Sequence, residues 1–191
     1  LTCSGGDLVL TNTGTSTIVG GGSFTAAGAK DVTITGAASY SLLSSGQSSI
    51  DCTGNVILEN TGTGGITSGG TFQLVHANNV TISGASTNAL LASGSGSSLE
   101  CSGKIMITNT KGAIVNGNIF TAIAHDMEIT GNATDRGSMF SCTTVDLTGK
   151  GGDLSLTNNG SAPIVGGTSF TVAGAKNVAL VGNYPSTGYQ E

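Results

Sequence analysis

Along this chain, aliphatic residues come in short pairs separated by one outward residue. The pairs are Leu8/Leu10, Val32/Ile34, Val56/Leu58, Val80/Ile82, Ile105/Ile107, Met127/Ile129, Leu154/Leu156 and Val178/Leu180. A period of two marks a strand with one buried face. Two further sets recur at the same interval. One is centred on Ile18, Leu42, Ile66, Leu90, Ile114, Met139, Ile164 and Tyr184, the other on Leu1, Phe24, Ile50, Phe72, Leu99, Phe120, Val145 and Phe170. Two residues after each member of the last set stands Cys3, Ala26, Cys52, Leu74, Cys101, Ala122, Leu147 or Val172. The pattern predicts three short strands per unit. It also predicts that Phe24, Phe72, Phe120 and Phe170 form one buried column, interleaved with Ile50, Leu99 and Val145.

The units are internal repeats. "LTCSGGDLVLTNTGT", "IDCTGNVILENTGTG", "LECSGKIMITNTKG" and "VDLTGKGGDLSLTNNG" open four segments, 1–49, 50–98, 99–144 and 145–191. Each segment, about 48 residues long, halves into two units of about 24. One unit cannot bury its own apolar face, so the units must stack. The expected fold is all-β: a single domain over 1–191, built as a right-handed, single-stranded parallel β-helix of about eight coils. After the first strand of each coil comes Asn12, Gly36, Asn60, Gly84, Asn109, Gly131, Asn158 or Gly182, in strict alternation. Both residue types tolerate left-handed backbone, which a sharp corner is expected to need. The four asparagines are read as a structural turn ladder. The first strand opens on Asp7, Asp31, Asn55, Asn79, Lys104, Asp126, Asp153 or Asn177, a column expected to stack side chain on side chain. Helices are excluded because Gly, Ser or Thr interrupts every few residues.

Composition narrows the function. Only 9% of residues are charged, and the net charge is −5. Six basic residues spread over 191 positions form no stripe, which argues against nucleic acid and anionic membrane surfaces. No apolar run approaches the ~18 residues of a membrane helix, so this segment is not expected to insert into a bilayer.

"GGTFQLVHANNVTISG" and "KGAIVNGNIFTAIAHDMEITGN" resemble the repeats of chlamydial polymorphic outer membrane proteins. "SGGDLVLTNTG" resembles haemagglutinin-type repeats of filamentous adhesins. Both are passenger-type β-helices of bacterial autotransporters and related secreted adhesins. The resemblance covers nearly the whole chain. It implies an extracellular or cell-surface location and an adhesive role, with a host receptor or polysaccharide as partner.

Candidate chemistry is sparse. Cys3, Cys52 and Cys101 share one inward column two coils apart, roughly 9.6 Å, too far for the ~7 Å Cα limit of a disulfide. They are read as buried small hydrophobes, and Cys142, on a corner, as the more reactive thiol. His76 and His125 are too distant to share a metal ion, and no carboxylate joins them at the level of sequence. No cofactor or metal is implied. Asp51, Glu100 and Asp146 are read as a surface acidic row, with neighbours two coils apart. That spacing lies just beyond the ~6.5–9.5 Å of an inverting carboxylate pair, so catalysis is not expected. Thr33/Thr35 and Thr81/Ser83 suggest an ice-ordering array, interrupted by Ile57/Glu59, Met106/Thr108, Glu128/Thr130 and Ala179/Val181. Asn79, Asn132 and Asn159 open glycosylation acceptor patterns.

The last coil and the first complete coil are of opposite flavour, so a second copy placed head-to-tail would continue the alternation. The expected function is a non-catalytic stalk, fibre or adhesin segment, either cut from a longer solenoid or stacking end to end through its solenoid ends. The alternatives are a carbohydrate-binding or carbohydrate-active β-helix and an ice-binding solenoid.

Overall fold

The computed structural model describes residues 1–134 and 137–182. Eight short strands form one sheet: Leu8–Asn12 (β1), Val32–Gly36 (β3), Asn55–Asn60 (β5), Asn79–Gly84 (β7), Lys104–Asn109 (β9), Asp126–Gly131 (β11), Asp153–Asn158 (β13) and Asn177–Gly182 (β15). Seven strands form the other: Val19–Ala29 (β2), Leu43–Cys52 (β4), Thr67–Ala77 (β6), Ala89–Cys101 (β8), Ala113–Ala124 (β10), Phe140–Gly149 (β12) and Ser169–Ala173 (β14). Each strand pairs in parallel with the strands one coil before and after it. The fold is thus a parallel β-helix of about seven turns, and the described residues contain no helix. Tyr184, assigned to the eighth coil, lies outside the described residues.

The coil has two strands, not three. The predicted second and third strands run together into one bent strand of up to 13 residues, as in β8. Pairing continues across the bend, so the strand is not broken there. Gly21, Gly69 and Gly96 absorb the change of direction with φ of 115°, 143° and 143°. Glycine is needed at Gly69, where a Cβ would meet the Ser45 carbonyl oxygen at 1.7 Å.

The predicted inward residues of the first sheet are buried from Val32 to Leu156. The core column of the second sheet is shifted by two residues from expectation. Phe24 pairs with Ser48, Ser48 with Phe72, Phe72 with Ser97, Ser97 with Phe120, Phe120 with Val145 and Val145 with Phe170. Ile50 and Leu99 instead stack with Ala26, Leu74, Ala122 and Leu147. The reason is volume. A phenyl ring in one coil sits over a serine in the next, and in four of the seven coils the position two residues on compensates, with small Ala26 and Ala122 after Phe and large Ile50 and Leu99 after Ser. Phe24, Phe72 and Phe120 are at most 5% exposed, while Phe170, on β14, the last strand of its sheet, is half-buried.

One core aromatic escaped the pattern. Phe140 opens β12 and stacks on Phe120 with ring centroids 5.4 Å apart. It belongs to a column of Val19, Leu43, Thr67, Leu91 and Val115 that lies beside the predicted second-strand positions. Two adjacent residues, such as Leu42 and Leu43, both point inward at the corner. A period-two reading cannot register such a doublet.

Candidate functional site

Polar side chains fall into two ladders, and each has a structural job. The column at the start of the first-sheet strands bonds coil to coil, as its stacking predicts. Asn55 N–H donates to Asp31 Oδ1 (2.6 Å), and Asn79 Nδ2 donates to Asn55 Oδ1 (3.0 Å). Lys104 N–H donates to Asn79 Oδ1 (2.9 Å), Asp153 N–H to Asp126 Oδ1 (2.8 Å), and Asn177 Nδ2 to Asp153 Oδ1 (2.7 Å). The backbone N–H of Asp153 and the His125 ring hold the Asp126 carboxyl below its usual range. Lys104 departs from the ladder type because its ammonium pairs with Glu128 on the next coil, at 2.6 Å.

The second ladder is the Asn/Gly corner. Neither residue type is left-handed there: none of Gly36, Gly84 and Gly131 has positive φ, and His76 is the single non-glycine residue that does among those described. The alternation has another cause. Each asparagine bonds its own loop. The Nδ2 groups of Asn12, Asn60, Asn109 and Asn158 donate to the carbonyls of Ser16, Gly64, Ala113 and Ala162, four residues on. Their Oδ1 atoms accept from the N–H groups of Gly14, Gly62, Lys111 and Gly160, two residues on. In alternate coils the corner must be empty instead. A Cβ at Gly36 or Gly84 would lie 2.7 Å from Leu42 Cδ2 or Leu90 Cδ2. So Asn is followed by β-branched Ile18, Ile66, Ile114 or Ile164, and Gly by the longer Leu42, Leu90 or Met139.

The acidic row is reorganised by the register shift. Asp146 pairs with Thr121 and Thr171, a column away from Asp51 and Glu100. Asp51 pairs with Val75 and Glu100 with Ile123, so these two do share a column, on either side of β6. His76 stands between them. Its Nδ1 lies 2.9 Å from Asp51 Oδ1, and Lys150 Nζ is 3.5 Å from Glu100 Oε1. The second histidine is also joined by a carboxylate, with His125 Nδ1 3.0 Å from Asp126 Oδ2. Sequence spacing hid the first pair, whose partners lie in neighbouring coils, whereas the second joins two consecutive residues.

His76 occupies an extra residue in β6, where the register shifts between Leu74 and Ala77, and has φ 62°. The matching bulge residues of other coils are Gly28 (φ 73°) and Gly174 (φ 67°). A histidine in this conformation is strained. The hydrogen bond and charge of Asp51 raise the His76 pKa, with a smaller push from Glu100. A raised folded-state pKa stabilises the fold below the unfolded value of about 6.5, and that contribution is lost as pH rises through the folded value. His76→Gly is therefore expected to raise the melting temperature in alkaline buffer, by relief of strain. The gain should shrink at about pH 5, where the imidazolium bridge is present. A gain that grows on acidification would contradict the Asp51 pairing.

All four cysteines are free thiols. Cys52 pairs with Ala29 and Cys101 with Ala77. Cys142 is not at an exposed corner. It is 3% exposed on β12, and burial pushes its thiol up to about 11, as it does for Cys101. Cys3, half-buried, is the accessible one. The order of labelling by a thiol reagent in native buffer is thus expected to be Cys3 first, with Cys52, Cys101 and Cys142 reacting only on unfolding; mass spectrometry of the adducts reads it directly.

Among the described residues, no three His, Cys, Asp or Glu side chains converge as a metal site would require. The first sheet's outer face carries Thr11, Thr35, Ser83, Thr108, Thr130 and Thr157 in one column, interrupted by Glu59. The neighbouring column mixes Thr33 and Thr81 with Ile57 and Met106. The Asn79 and Asn132 side chains, both in acceptor patterns, are engaged with Asn55 and with the Thr110 carbonyl.

These features define a class, the parallel β-helix repeat proteins, in which side chains are committed mainly to stacking. Comparison with known protein families, curated proteins and solved structures gives no match to this chain.

Proposed function

We propose that the chain is a non-catalytic structural and adhesive module: an extracellular rod of stacked coils that displays a repetitive polar surface. The observation that carries this reading is where the reactive side chains are spent. Asp31, Asn55, Asn79, Asp126 and Asp153 bond the next coil, and the corner asparagines bond their own loops. The two Asp–His pairs are exposed and lie in different coils. General acid–base chemistry needs such groups gathered around one substrate position. The resemblance to autotransporter passengers and filamentous adhesins supports the surface location.

Head-to-tail stacking is a further part of this reading. Among the described strands β1 and β15 each pair on one side only, and pairing of such edges would extend the existing ladders. Electron microscopy of concentrated protein tests it. Filaments that disappear when Val9 and Ala179 are changed to lysine support stacking. Single short rods at every concentration overturn it, and turnover of any polysaccharide overturns the non-catalytic reading. The hydroxyl column from Thr11 to Thr157 favours a second reading, ordering of water at an ice surface, for which thermal hysteresis is the test.

A further inference from the structure

The outer side of the bend between the sheets carries a long recess. Its floor is one column of β4, β6, β8, β10 and β12: Ser44, Ser68, Ala92, Asn116 and Ser141, paired in register. Its wall is formed by the loops that leave the first sheet. Two hollows, about 420 Å³ and 280 Å³, lie along it and share Thr87, Asn88 and Ala89, so they follow one another along the stack of coils. The larger volume falls within the roughly 300–1,000 Å³ of small-molecule sites, and the smaller lies just below it.

The wall is fixed before any ligand arrives. Asn60 Nδ2 holds the carbonyls of Ala38 (3.1 Å), Gly64 (3.0 Å) and Gly65 (3.0 Å), and Asn109 Nδ2 holds that of Ala113 (2.7 Å). A Cβ at Gly64 would fall 1.8 Å from the Tyr40 carbonyl oxygen, so adjacent loops are in backbone contact. A preformed wall removes the ordering entropy that a floppy surface would lose on binding.

Tyr40 stands at one end of this channel, lining the larger hollow, and is 75% exposed. The described phenylalanines are buried or half-buried in or against the core, which makes Tyr40 the one exposed aromatic side chain among the described residues. A ring with an apolar face and a polar tip, left in water beside a hydroxyl-lined recess, is a platform for a ligand that is itself apolar on its faces and polar at its rim.

We propose that this channel binds a neutral, extended polysaccharide, with Tyr40 stacking on a sugar ring at one end and Ser68, Asn88 and Asn116 bonding hydroxyls along it. The inference rests on the non-catalytic adhesive reading and gives it a ligand class. Three observations select the ligand. The channel repeats with the coil, at ~4.8 Å, and spans five floor positions, which suits a linear repeating chain and not a compact molecule. Among the described residues the larger hollow, beside Tyr40, is lined by no charged side chain, so a polyanion or polycation finds no counter-charge there. The serine, threonine and asparagine groups donate and accept alike, which matches hydroxyls that do both.

The test is calorimetric titration of the intact chain with cellohexaose, xylohexaose and mannohexaose, and with polygalacturonate as the anionic control. At least one neutral hexaose is expected to bind. Tyr40→Ala should weaken it about tenfold or more, a loss of about 1.4 kcal/mol, and Tyr40→Phe should keep most of the affinity. Asn116→Leu should weaken it as well. Unchanged melting curves will show that the variants fold, since Tyr40 and Asn116 are exposed. Binding that neither Tyr40→Ala nor Asn116→Leu reduces, tighter binding of polygalacturonate, or no binding of the neutral oligosaccharides would overturn the proposal. So would self-association of the chain through this face, seen as a dimer that Asn116→Lys dissolves. None of these results bears on the end-to-end stacking of the rod, which microscopy reads separately.

Discussion

Truncating Phe120 to alanine is expected to destabilise the chain by about 3–5 kcal/mol, the largest single effect in the core. Its ring is fully buried, stacks on Phe140 at 5.4 Å, and lies between Ser97 in one coil and Val145 in the next. Neither neighbour can fill the space: Ser97 is too small, and Val145 is too stiff at its branched Cβ to reach across. The cavity therefore persists and adds to the lost transfer energy. Ser97→Ala makes the contrast. The Ser97 hydroxyl is buried with no hydrogen-bond partner. Removing it takes away an unsatisfied polar group, a gain of about 1 kcal/mol. Urea denaturation of the two variants against the parent checks both, with Phe120→Ala lowering the midpoint and Ser97→Ala raising it. Equal losses from the two would mean that the aromatic–serine alternation is not what packs this column.

Replacing Asn60 with alanine is expected to cost about 3 kcal/mol, because one side chain serves three buried carbonyls and one half-buried N–H. Its amide donates to the carbonyls of Ala38, Gly64 and Gly65, and its Oδ1 accepts the Gly62 N–H at 3.0 Å. Each buried group left unpaired costs about 1–3 kcal/mol, and relaxation of the loop toward water offsets part of the sum. Aspartate is no rescue. It keeps the acceptor for Gly62 but sets a buried carboxylate against three carbonyl oxygens. Hydrogen exchange should show faster opening at Gly62, Gly64 and Gly65 in Asn60→Ala, ahead of global unfolding. The complementary change, Gly84→Asn, should fail for steric reasons at Leu90 Cδ2 and be partly recovered by Leu90→Ile, which recreates the corner of the neighbouring coils. Loss of exchange protection confined to distant coils would refute the assignment.

The sequence by itself determined the architecture. A period of two inside a period of about 24 leaves little choice, because short half-apolar strands without helical segments can bury their faces only by stacking in register. The first-sheet columns were legible for this reason, from Val32 through Leu156, as were the Asp/Asn stacking column and the Asn/Gly alternation. What the alternation is for was not legible. Left-handed backbone was the natural expectation, and the true cause is a contact between Gly36 or Gly84 and a leucine six residues on, which only the closed coil creates.

Tertiary structure alone decided the register of the second sheet and everything that depends on it. Repeats aligned by similarity place Phe24 over Ile50, whereas packing places Phe24 over Ser48 and Ala26 over Ile50. Side-chain volumes sum across neighbouring coils, and no single unit records that sum. The same two-residue shift, with the bulge at His76, moves Asp146 out of the acidic row and brings His76 onto Asp51. The axial recess beside Tyr40 was likewise invisible along the chain. Its floor residues are about 24 positions apart in sequence and become neighbours only because parallel coils stack at ~4.8 Å.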